Sequence, residues 1–147
     1  MRNMAVYLYN HTWDLLDLGA SRTDAQTFEM IDAAHASNWH WSQIGGVEQA
    51  VVGAWMISRV NASAGFGVEA VRYAQRSLAL LDSGTGLPDW LAASVHEGLA
   101  RAYLAAGDRD AATQQAALAQ VALVSIAEED DKSLIAEQIA ELGLSAT

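Results

Sequence analysis

Apolar positions along this chain recur at spacings of three and four rather than two, so the pattern is helical almost throughout. A first helix is expected over 3–18, closed by Gly19. Thr23-Asp24-Ala25-Gln26 reads as a capping box, with Thr23 capping a free amide and Gln26 reaching back. It opens a second helix that runs to Ile44 and carries Phe28, Ile31 and His35 on one face, before Gly45-Gly46 ends it. The third helix is expected over 47–63 and the fourth over 67–82. The short link between them contains Gly65 and Gly67, which sets the pair antiparallel. Ser83-Gly84-Thr85-Gly86 is a flexible loop. Pro88 suits the first turn of a fifth helix, where its missing N–H would have no partner in any case. That helix runs to Ala105, Asp108 caps a sixth over 109–127, and a seventh covers 131–142. Seven helices with short connections define an all-α stack of antiparallel hairpins, read as a single domain over 1–147.

The stack has a period. Shifting 59–74 by 42 residues superposes Arg59 on Arg101, Ala64 on Ala106, Gly65 on Gly107, Ala70 on Ala112 and Ala74 on Ala116. Within 89–122, Leu99-Ala100, Tyr103, Gly107-Asp108, Ala112 and Ala119 fall at the spacing of a tetratricopeptide hairpin, which this segment resembles. Ala116 departs from that pattern where a large aromatic is usual, Val124 where a closing Pro is common, and Asn61 where the earlier unit would have Tyr. The usual repeat is about 34 residues, so the longer period places an insertion in the 83–90 loop. More broadly, AHASNWHWSQIG (34–45), SRV (58–60) and HEGLARAYLAAGD (96–108) are similar to a set of short, uncharacterised bacterial helical proteins of tetratricopeptide-like type.

The resemblance implies a short solenoid with a concave face and no particular activity. In that family the first helix of each pair lines the groove. Carried onto this chain, Trp55 and Glu97 take one ligand-facing place, and Arg59 and Arg101 take another one turn on. Two arginines on adjacent helices suit a bidentate clamp for a carboxylate, with Trp55 offering aromatic area beside them. On this reading Arg59→Ala with Arg101→Ala weakens ligand binding without unfolding the chain. The competing reading makes these residues ordinary ion pairs, with Glu48, Glu69 and Glu97 as partners and Glu97–Arg101 an exposed helical pair. Arg72 and Arg76 belong with Glu69 to an outer-face network.

Charge narrows the partners. Eighteen acids against eight bases give −10, and the last twenty residues alone carry six carboxylates less Lys132, or −5. Such a field repels nucleic acid and anionic membrane. No apolar run approaches the ~20 residues of a membrane span, and Asn10, His11, Asp14 and Asp17 interrupt any leader-like core, so a cytoplasmic protein is expected. The absence of cysteine excludes disulfides, thiolate metal sites and cysteine nucleophiles. The expected function is therefore a non-catalytic module holding a protein or peptide through an acidic or C-terminal carboxylate group, without cofactor or metal. So few hairpins leave terminal apolar faces, which argues for a homodimer.

The alternative is a small-molecule binder or enzyme built on Ala34–Gln43, where two imidazoles and two indoles crowd together. His35, Trp39, His40 and Trp41, with His96, would surround a pocket between the second, third and fifth helices. Two His five residues apart on a helix diverge by about 140°, which does not make a chelate. The bland reading puts His35 in the core and packs Trp39 and Trp41 against the third helix. His96-Glu97 lacks a second His four residues on, where Ala100 stands, so it is no zinc motif. GFG (65–67) and GTG (84–86) lack the strand a phosphate loop requires. Ser94 and His96 lack an orienting acid, and 128–131 lacks the alternation of a calcium loop.

Overall fold

A computed structural model describes residues 2–144. Its helices are α1 (Arg2–Asp17), α2 (Asp24–Ile44), α3 (Val47–Ala64), α4 (Gly67–Ser83), α5 (Leu91–Ala105), α6 (Arg109–Leu123) and α7 (Glu129–Glu141), with a 3-10 turn at Gly19–Ser21. There is no strand among the described residues, and no helix there is long and apolar enough to cross a membrane. α1 packs on α2, α3 on α4 and α5 on α6, each pair also touching the next. α3 further contacts α5, and α5 contacts α7, so odd-numbered helices adjoin along one side.

Local chemistry sets the boundaries. Thr23 Oγ1 accepts from Gln26 N at 3.1 Å and Gln26 Oε1 accepts from Thr23 N at 2.9 Å, the expected reciprocal cap. Asp108 accepts from the Ala111 amide at 3.0 Å and starts α6. The hairpin turns repeat at the 42-residue interval. Gly65 and Gly107 have φ of +84° and +83°, a left-handed conformation that favours glycine. Phe66 and Asp108 then donate to the Asn61 and Tyr103 carbonyls, each at 2.9 Å. Both turns thus satisfy the last carbonyls of their helices in the same way.

Two ends differ from the expectation. α5 begins at Leu91, leaving Pro88 in the loop, and the Asp89 carboxylate accepts from the Ala127 amide at 3.0 Å rather than capping α5. α6 stops at Leu123, after which Ser125 and Ile126 donate to carbonyls three residues back at 3.2 and 3.1 Å. The tightened turn buries Ile126.

The core lies in three clusters between successive layers. Leu15, Met30, Met56, Ile57 and Val60 join α1, α2 and α3. Val51, Ala70, Leu91, Val95 and Leu99 join α3, α4 and α5. Ala93, Ala119, Leu123, Ile135 and Ile139 seat α7 on α5 and α6. Each large aliphatic side chain buried in this way contributes about 1.5–3 kcal/mol. The fully buried face of α2 is Met30, Ala33, Ala34 and Ser37; of the expected stripe, Ile31 is half-buried against this core, whereas Phe28 and His35 lie outside it. Phe28 is 60% exposed and His35 is exposed. α2 is nearly even in hydropathy around its axis, so its small residues choose the face: Ser37 donates to the Ala5 carbonyl at 2.9 Å across a close α1–α2 contact.

Candidate functional site

The side formed by α1, α3, α5 and α7 is grooved. At one end a cavity of about 230 Å³ is walled by Tyr9, Trp13, Trp55, Trp90, Ile135 and Asp131, among others. At the other end a cavity of about 460 Å³ includes Trp13, Asp17, Arg59, Arg101 and Glu141. Trp13 lines both, and the pair Trp13–Trp55 stands between them with ring centroids 6.0 Å apart. Trp55 is fixed by its indole N–H, which donates to the Ser94 carbonyl at 3.0 Å.

The structure brings Trp55, Arg59, Glu97 and Arg101 together. Glu97 is 0% exposed, which corrects the expectation of an exposed Glu97–Arg101 pair. Its position faces α3, where the helices press close enough to exclude water. Arg101 donates to Glu97 Oε1 through Nε at 2.9 Å and Nη2 at 2.7 Å. Arg59 Nη1 stands 3.9 Å from the same oxygen. Glu97 Oε2 and Arg59 Nη1 are both buried and have no hydrogen-bond partner among the described residues. The Arg59 guanidinium lies over the rings of Trp13 and Trp55, at 5.5 and 5.9 Å from their centroids. Such stacking offsets part of the lost hydration.

Burial, reinforced by the nearby Arg101 charge, pulls the Arg59 pKa below its ordinary value, while Glu97, Glu141 and Asp17 oppose the shift. An arginine still remains a cation at neutral pH. Arg101 also reaches Glu141 Oε2 at 3.5 Å, and Asp17 lines the same cavity, so the two guanidinium groups sit among three carboxylates. The candidate site is this charged cluster, in which Arg59 keeps a buried Nη1 without a hydrogen-bond partner among the described residues. The same geometry bears on Arg59→Ala with Arg101→Ala: the double change would strand a fully buried carboxylate, so a loss of stability is expected beside any loss of binding. Of the carboxylates considered at the sequence level, Glu97 pairs with both arginines, whereas Glu69 pairs with Arg72 on the surface at 3.8 Å.

The histidines do not converge on a pocket. His35 meets Tyr73 of α4 edge-on at 5.4 Å, in a shallow cavity with Arg72 and Arg76. His96 Nδ1 is 2.8 Å from Gln115 Oε1 of α6. Trp39 is 58% exposed and crosses the His40 ring edge-on rather than packing on α3. Trp41 turns the other way, into a cavity with Tyr9 and Trp90, and Arg2 covers it at 5.6 Å. Divergence along α2 separates His35, Trp39, His40 and Trp41, and His96 on α5 pairs with α6 instead.

Tyr9, Trp13, Trp90 and Asp131 were not legible as site residues. Three of them belong to elements outside the two hairpins that carry the period, and Trp90 lies in the inserted loop. Among the described residues no group of three or more His, Asp or Glu side chains is placed to hold a metal ion. Compared with known proteins, the chain matches no family model, no curated protein and no solved structure.

Proposed function

We propose that this protein is a non-catalytic binding module, a short tetratricopeptide-like stack whose groove between α1, α3, α5 and α7 receives a peptide segment of another protein. A carboxylate of that segment, at its C-terminus or on an acidic side chain, approaches Arg59. The carrying observation is the state of Arg59: buried against two indoles, with its Nη1 lacking a hydrogen-bond partner among the described residues, and lining a cavity of about 460 Å³. A guanidinium in that setting is more weakly hydrated than an ammonium and presents a planar fork suited to a carboxylate.

The test is a peptide array in which each sequence is printed with a free and with an amidated C-terminus, together with internal acidic variants. The reading expects a preference for carboxylate-bearing peptides that Arg59→Gln removes while Arg101 and Glu97 stay in place. Equal binding of acid and amide forms, or no change in Arg59→Gln, would sink it. A second copy of the chain belongs to the same proposal. Leu118, Val121 and Val124 are exposed in sequence steps of three along the end of α6, an apolar strip that a dimer would cover. Light scattering at micromolar concentration decides between monomer and dimer.

A further inference from the structure

Four of the five tryptophans of the chain line one cleft, away from the Arg59 end of the groove. Trp13, Trp55 and Trp90 wall the cavity of about 230 Å³, and Trp41 lines an adjoining one of about 210 Å³. Tyr9, Val52 and Trp90 are common to both. The charged residues lining them are Asp131 in the first and Glu48 in the second, and no Lys, Arg or His lines either. Among the described residues neither carboxylate takes part in an ion pair.

The rings already serve cations elsewhere. Arg59 lies over Trp13 and Trp55, and Arg2 lies over Trp41, yet neither arginine lines these cavities. The indoles thus already take stacked cations in this fold, and Asp131 in the first cavity and Glu48 in the adjoining one add negative charge to their surroundings. An aliphatic ligand would gain nothing from Asp131 and Glu48. A primary ammonium would lose strong hydration on entering walls so apolar. A methylated ammonium is weakly hydrated, and its diffuse charge suits aromatic faces.

We propose that the Tyr9–Trp13–Trp55–Trp90 cleft, with Asp131 at its polar edge and Glu48 in the adjoining cavity, binds a trimethylammonium group. The site rests on the groove being the ligand-binding face, but it does not involve the carboxylate contact at Arg59. The acidic charge of the whole chain favours the approach of such a cation.

The experiment titrates the intact protein with choline and with 3,3-dimethylbutanol, its neutral isostere, following tryptophan emission at constant ionic strength. Choline is expected to bind roughly tenfold tighter than the isostere. Asp131→Asn should remove most of that preference, because it deletes the charge and keeps the shape. Equal affinity for choline and isostere, or binding of neither, overturns the proposal. A peptide bearing trimethyllysine, against its unmodified form, separates the two sources of the group: binding of choline alone marks a small quaternary amine, and binding of both marks a modified side chain. Competition tells this site from the carboxylate site. Saturating choline should leave any preference for free-acid over amidated peptides intact, and loss of that preference would overturn the assignment of a separate site.

Discussion

The indole of Trp55 on α3 occupies the space that a side chain at position 98 of α5 would need. A Cβ added to Gly98 would stand 2.7 Å from Trp55 Cδ1 and 2.9 Å from Nε1. The obstacle is a rigid ring already anchored to the Ser94 carbonyl. Gly98→Ala is therefore expected to destabilise the fold by about 1–3 kcal/mol through overpacking. It should also perturb tryptophan emission before unfolding begins. Urea titration with fluorescence and circular dichroism measures both.

The buried triad predicts a different response. Glu97→Gln keeps the shape but leaves Arg59 and Arg101 without their shared counter-charge, at a cost of about 3–5 kcal/mol. Replacing all three residues together, with Arg59→Met, Glu97→Leu and Arg101→Met, removes the charges along with their desolvation and should recover most of the loss. Denaturation midpoints of the single and triple variants check this. A triple variant as unstable as Glu97→Gln would show that packing, not charge, sets the cost.

His35→Ala is expected to change stability by less than about 0.5 kcal/mol, because an exposed ring resting on Tyr73 fills no core space. Thermal unfolding of the variant measures it. A loss of several kcal/mol would restore His35 to the core.

Thr23→Ala should cost about 1 kcal/mol, the usual effect of removing an N-cap side chain. Gln26→Ala should cost less, since Thr23 still caps one donor. Urea midpoints of the two single variants and the double resolve the capping box, and the double should fall short of their sum because the two bonds are reciprocal.

The helices were legible because their limits are local chemistry. The Thr23–Gln26 box, Gly65 and Gly107 act on backbone within one turn, and the structure uses them where the sequence places them. The Arg59–Arg101 pairing was legible because the 42-residue shift carries one onto the other. The burial of Glu97 was not: an i,i+4 pair with Arg101 looks the same on a wet face and in a dry one, and the packing of α3 decides which. The face of α2 was also hidden, since even hydropathy around a helix gives periodicity nothing to select. The aromatic cleft draws on α1, α3, the 84–90 loop and α7, a convergence that no sequence spacing encodes.

The Asp89 contact to the Ala127 amide has a mechanical meaning. It fastens the loop before α5 to the connection that launches α7. Trp90 follows directly on one side of this fastening, and α7, which carries Asp131, on the other. One carboxylate thus acts as a clasp across the mouth of the tryptophan cleft. The contact ties together two connections that lie outside every helix, beside the apolar seat that Trp90 shares with Ile135.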